Sequence, residues 1–133
     1  MTIVHECEPT NILKLIKENP NVIVDIWAQW CGPCLETGEI LEQLDKTIGN
    51  KVLIIKVDFD KISAKNPGSL PFWKDVKGLD AVPILIFFKN GKRVDEYIDE
   101  RLQPEEKQYG RGLIFGEPTP EEIQDTMKKL AMV

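Results

Sequence analysis

Positive charge is in short supply in this chain of 133 residues: 17 Lys and Arg stand against 22 Asp and Glu, for a net charge of -5. Non-specific phosphate binding depends on clustered cations, so nucleic acid is excluded as an expected partner. Cysteine is scarce and odd in number, at three. Two of the three, Cys31 and Cys34, lie too close in sequence to staple distant parts of a fold, which excludes a structural disulfide framework. The opening residues, MTIVHECEPTN, hold no basic segment followed by an apolar run, so no secretory leader is expected and the default compartment is the cytoplasm. Internal repeats and low-complexity tracts are missing as well. What remains, 42% hydrophobic and 29% charged residues with 8% aromatics, is the composition of a globular protein that needs no membrane. The length suits one domain spanning 1–133.

Local patterns then order the chain. Thr10 is placed to cap a helix in which Ile12, Leu13 and Ile16 share a face, with Pro20 just past its end. Val22 to Ala28 is β-branched and aromatic with apolar residues in both phases of its alternation, the mark of a strand covered on both faces. From Cys34 onward Ile40, Leu41, Leu44 and Ile48 recur at helical spacing until Gly49 and Asn50, and Val52 to Val57 reads as a second buried strand. Strand, helix and strand in this order make a βαβ unit with parallel strands, so the class is α/β. Pro67, Gly68 and Pro71 break up the next region ahead of a short helix around Phe72 to Lys77. "PILIFFKNGKRVDEYI" is a hairpin signature turning at Asn90 and Gly91, with Val94 and Ile98 on its return strand. Thr119, Pro120 and Glu122 form a capping box ahead of a closing helix whose inward residues are Ile123, Met127 and Leu130. Between hairpin and helix, roughly residues 100–118 read as an inserted loop without period.

The chemistry concentrates in "VDIWAQWCGPC", residues 24 to 34. At a strand-to-helix junction, the Cys31 sulfur faces the free N–H groups and the positive dipole end of the following helix, which favours thiolate over thiol. Cys31 is thus the expected nucleophile. Cys34, one helical turn on and better shielded, is the expected resolving thiol. Thiolate 31 attacks a substrate disulfide, thiol 34 then attacks sulfur 31, and a closed CGPC ring and a reduced substrate result. Pro33 stiffens the turn and brings no charge, so the pair should be reducing.

"WAQWCGPC", with "VD" upstream, "VPILIFFKNG" downstream and the βαβ-ββα order, resembles the thioredoxin family over about residues 3 to 98 and the terminal helix. The resemblance implies a thioredoxin fold, a central mixed sheet flanked by helices with an inserted loop before the last helix. It implies that Asp25 is the family's buried aspartate, accepting the proton of the resolving thiol with a pKa raised by burial, and that Lys56 supports this relay. A plain ion pair of Asp25 with Lys56 is the rival reading. Pro83, preceded by Val82, matches the proline that is cis in this fold, and Val82 would offer its backbone to an extended substrate strand. Trp30, Gly32 and Pro33 would border the groove, with Trp27 beneath it. The activity implied is reduction of protein disulfides, with no cofactor or metal beyond the Cys31–Cys34 pair and with a disulfide reductase as electron donor.

Several residues depart from the family pattern. Leu35 and Glu36 follow the second cysteine where a lysine is usual, which weakens support for the Cys31 thiolate. Glu39, after Gly38, replaces the kinking proline. The glycine that normally follows the last strand is expected to be replaced near Asp99, whose carboxylate would narrow the range of substrates. The regions 66–80 and 100–118 could wall the groove or carry a partner surface, and a redox-sensing binding module with few partners is the alternative function. His5 and Cys7, if alternating on a strand, would join the CGPC cysteines as four potential zinc ligands, a weaker explanation of the same sulfurs.

Overall fold

The computed structural model describes residues 3–48, 51–94, 103–106 and 112–132. In chain order the elements are β1 (Ile3–His5), α1 (Pro9–Glu18), β2 (Asn21–Trp27), α2 (Gly32–Ile48), β3 (Leu53–Asp58), α3 (Phe59–Ser63), α4 (Trp73–Leu79), β4 (Ile84–Lys89), β5 (Lys92–Arg93), β6 (Leu113–Phe115) and α5 (Pro120–Lys129). The strands join in one mixed sheet of order β1-β3-β2-β4-β5, with β6 pairing β4. β1, β3 and β2 run parallel, while β4 is antiparallel to β2 and to both β5 and β6. This is the thioredoxin fold expected, with helices on both faces.

β2 is the centre of the molecule. Val22 through Ile26 are all buried, and their side chains alternate between two cores. Val22, Val24 and Ile26 pack with Ile12, Ile16, Phe72, Val76 and Phe88 under α1, α3 and α4. Ile23 packs with Leu41, Leu44, Ile54, Phe87, Ile123 and Met127 under α2 and α5. Fully burying each Val or Ile contributes about 1.5–3 kcal/mol, so both faces hold this strand in place.

Most departures from the sequence reading are short shifts with local causes. Helix α1 starts at Pro9, with Glu8 in the cap position, so Thr10 lies in the first turn and does not cap. Proline at the first helical position has the φ the helix needs and lacks only an N–H that would be unpaired there. Helix α2 begins at Gly32, two residues ahead of Cys34, and β3 is displaced by one residue. The region 66–80 is well filled by a 3-10 turn at Pro67–Ser69 and by α4, and Asn66 and Asp80, both at positive φ, punctuate it. At the hairpin Asn90 (φ 53) and Gly91 (φ 81) turn the chain as expected, while Ile98 lies outside the described residues, as do Gly49 and Asn50. The capping box is present: Thr119 accepts from the Glu122 N–H, and Glu122 accepts from the Thr119 N–H.

The larger correction concerns 100–118, read as structureless loop. Leu113–Phe115 within it form β6, paired with Ile84, Leu85 and Ile86 of β4. β5 covers Phe88 and Lys89 at the other end of β4, so two separate segments share one edge of that strand. The LIF run is too short to declare itself, and only its pairing with β4 makes it a strand. Gly112 admits β6 to this edge: its φ is +67, its C=O accepts the Phe87 N–H at 2.8 Å, and a Cβ there would lie 2.5 Å from the Val94 oxygen. Gly112→Ala should therefore lower the unfolding free energy by about 2–4 kcal/mol through left-handed strain and overpacking, read as a drop in the urea midpoint at unchanged m. A variant as stable as the parent would contradict this account of the β4 edge.

Candidate active site

Three chain segments meet at one end of the sheet. β2 ends at Trp27, and a turn closed by the Cys31 N–H donating to the Ala28 oxygen at 3.2 Å leads straight into α2. Pro33 sits in the first helical turn, where the N–H it lacks has no intrahelical partner in any case. One turn of helix brings the Cα atoms of Cys31 and Cys34 to 5.2 Å, and the two sulfurs form a disulfide. The Cys34 N–H points at Cys31 Sγ from 3.1 Å. A donor so placed, with the dipole of α2 behind it, stabilises negative charge on sulfur 31 once the bond opens. Cys31 keeps 6% of its surface exposed and Cys34 none, so only sulfur 31 can be approached from outside.

The second segment is the loop before β4. The Val82–Pro83 bond is cis, Pro83 is buried, and the Val82 oxygen lies 3.8 Å from Cys31 Sγ. Val82 packs with Trp27 and Phe59 around Ala28, Cys31 and Cys34. The third segment follows β6. The Gly116 N–H donates to the Pro83 oxygen at 3.1 Å, at a φ of +89, and a Cβ on Gly116 would meet nothing within 4 Å. The position after the edge strand therefore belongs to Gly116, whereas the sequence reading placed it near Asp99, which lies outside the described residues. The "LIFG" run just ahead of the capping box was the signal for it, hidden because the edge strand is interrupted by the insertion.

Asp25 occupies the phase of β2 that faces α2, and none of its surface is exposed. Register sets it beside Lys56 of β3, whose Nζ lies 3.0 Å from Oδ2; Oδ1 has no hydrogen-bond partner among the described residues. Burial pushes the Asp25 carboxyl above its usual value, against the opposing pull of the Lys56 ammonium and, more weakly, of His5. Lys56 is held from three sides. Besides Asp25, its Nζ sits 5.1 Å from the centroid of the Trp27 ring, and Gly38 of α2 leaves it room, since a Cβ there would lie 3.0 Å away.

Trp30 is 69% exposed beside the disulfide, and its Nε1 donates to Asp60 Oδ2 of α3 at 2.8 Å. Asp60 was not foreseen, because nothing in the sequence links positions thirty residues apart. Gly32 is exposed and Pro33 half-buried on the same rim. Leu35, at 53% exposed, continues it. β1 stops at His5, so His5 and Cys7 do not alternate along a strand as the zinc reading required, and among the described residues no three His, Cys, Asp or Glu gather as a metal site.

The thioredoxin family model matches residues 4–108. The chain belongs to the thioredoxin family. A thioredoxin from Malassezia sympodialis is 38% identical over 78 residues, which cover 58% of this chain and 67% of that protein. One from Rickettsia typhi is 32% identical over 85 residues, 64% of this chain and 73% of the relative. In fold, mitochondrial thioredoxin 3 from Saccharomyces cerevisiae, in its oxidised form, superimposes at a TM-score of 0.66 over 96% of this chain and 94% of that one, at 22% identity. With this membership and the Cys31–Cys34 disulfide, the chain is a protein thiol–disulfide oxidoreductase, and such thioredoxin chemistry needs no cofactor beyond the redox-active disulfide. Among the described residues no helix is long and apolar enough to cross a membrane.

The Asp25 environment has a thermodynamic signature. A carboxyl whose folded pKa lies above the unfolded value of 3.8 binds its proton more tightly when folded, so it costs stability as pH rises through and beyond 3.8. Oxidised Asp25→Asn should match its parent near pH 3.5 to 4 and gain on it progressively toward pH 8, in urea unfolding across that range. A constant difference would show that the ion pair with Lys56 balances burial, and one that shrinks with rising pH would show that it outweighs burial.

Proposed function

We propose that this thioredoxin-family chain, acting as one domain over 1–133, reduces protein disulfides in the cytoplasm through its CGPC pair. The observation that carries this reading is the asymmetry of the two cysteines: Cys31 keeps a 6% opening to the surface while Cys34 has none, and a backbone donor at 3.1 Å awaits the charge of sulfur 31. In the dithiol form, thiolate 31 attacks one sulfur of a substrate disulfide; the substrate S–S bond breaks and its departing thiolate takes up a proton. The Cys34 thiol then gives its proton to Asp25 and attacks Cys31 Sγ. That forms the Cys31–Cys34 bond, breaks the mixed disulfide and frees the second substrate sulfur as a thiolate, which is protonated as Asp25 gives up the proton it took. Two electrons have passed to the substrate, and a disulfide reductase returns two to the protein.

Other residues support these steps. Lys56 orients the Asp25 carboxylate through Oδ2, leaving Oδ1, which lacks a partner among the described residues, to take the proton. Val82 offers its backbone to an extended substrate segment, Pro83 packs behind it with its C=O held by Gly116, and the open space beside Gly116 lets that segment come close. Trp30, Gly32 and Pro33 form the rim it crosses. The cytoplasm suits a reducing pair and a free, half-buried Cys7, since thiols persist there.

Steady reduction of insulin with dithiothreitol as donor is the direct test. Cys31→Ser should fall to the uncatalysed rate, and Cys34→Ser should accumulate a mixed disulfide on Cys31 that mass spectrometry identifies. Asp25→Asn should slow breakdown of that intermediate on the order of 10²-fold near pH 7. A single turnover with no steady rate would instead favour the redox-sensing binding module, and equal trapping by Cys31→Ser would reverse the roles of the two sulfurs.

A further inference from the structure

One concavity stands outside all of these roles. Between α2 and the start of α5 runs a groove of about 340 Å³, lined by Glu36, Glu39, Ile40, Gln43 and Leu44 of α2 and by Pro120 of α5. The five α2 residues share a face, because positions three and four apart stack along a helix. Leu44 is buried, Ile40 is half-buried, and with Pro120 they make an apolar floor. Glu36 and Glu39 are exposed on the rim, and neither has an ion-pair partner among the described residues. Among the described residues no lysine or arginine lines the groove. An apolar trough edged by free carboxylates fits a side chain with an aliphatic stem and a cationic head. An acidic side chain would be repelled, and a purely apolar one would strip water from the carboxylates without return.

Its position ties the groove to the disulfide. Glu36 is two residues beyond Cys34, with exposed Leu35 between them, so it stands in the first turns of the same helix. On the other wall, Pro120 is four residues beyond Gly116, which holds the loop of Pro83 against the site. A protein seated over Cys31 is thereby led past Leu35 onto the rim carboxylates. We propose that this groove docks a lysine or arginine of the disulfide-bearing protein, so that the chain favours partners whose reactive cystine is flanked by positive charge. This inference rests on the disulfide-reducing reading above.

The test uses three peptide disulfides that differ only beside the cystine, carrying Arg, Gln or Glu there. For the parent, kcat/KM should be roughly three- to tenfold higher for the Arg peptide than for the Gln peptide at low salt, as expected of two exposed charge contacts. Added salt should narrow the gap. In Glu36→Gln/Glu39→Gln the ratio should fall to about one, and in Glu36→Lys/Glu39→Lys the preference should turn toward the Glu peptide. Glu18→Gln/Asp125→Asn removes the same charge away from the groove and should leave the ratio as in the parent. A parent that reduces Arg and Gln peptides equally well overturns the groove and leaves the reductase reading standing. Loss of the preference in the distant pair as well assigns it to net charge and also overturns the groove. A parent that reduces none of the peptides overturns the reductase reading and the groove together.

Discussion

The active end of this molecule depends on the register of one strand. β2 is hydrogen-bonded in parallel to β3 and in antiparallel to β4, and both of its faces are buried. A slip of one residue would turn every side chain to the opposite face and bury the Asp25 carboxylate among Ile12, Ile16 and Phe72. The register in place sets Asp25 beside Lys56 and Ile26 beside Ile84. Because β2 ends just after Ile26 and β4 begins just after Pro83, the turn to Cys31 and the loop of Val82 and Pro83 must emerge at the same edge. The carboxyl ends of parallel strands are where open α/β sheets place their sites, and this sheet follows that rule on its parallel side.

Two opposed electrostatic settings lie close together at that edge. Inside, desolvation of Asp25 outweighs the Lys56 ammonium and leaves a carboxyl able to hold a proton. Outside, Glu36 and Glu39 are exposed on the next turns of the helix that bears Cys34. The same residue chemistry thus does two different things: the buried acid belongs to proton transfer, and the exposed acids belong to the field a partner meets on approach. The backbone N–H of Cys34 and the dipole of α2 supply positive potential at sulfur 31, without a lysine after the second cysteine.

Much of this was legible along the chain, for identifiable reasons. The β-branched density of Val22 to Trp27, the helical spacing from Ile40 to Ile48, the Asn90–Gly91 turn and the Thr119 capping box are local signals backed by local physics. WCGPC was legible for the same cause, since the chemistry needs its two sulfurs one helical turn apart. β6 and Gly116 were not. Three apolar residues after an insertion carry no period, and they become a strand only because β4 has an open edge beside Ile84 to Ile86. Asp60 was equally hidden, as its bond to Trp30 joins positions that only the fold brings together.

By itself, then, the sequence determined the identity and spacing of the sulfurs, the α/β class and the presence of a carboxylate in a strand destined for burial. These are consequences of side-chain chemistry and of contacts within one or two turns of chain. Tertiary structure alone decided that Asp25 has one oxygen on Lys56 and, among the described residues, one without a partner, that a glycine from beyond the insertion borders Pro83, and that two glutamates overhang an apolar groove. Each of these is a meeting of segments distant in sequence, settled by which faces had to be buried together.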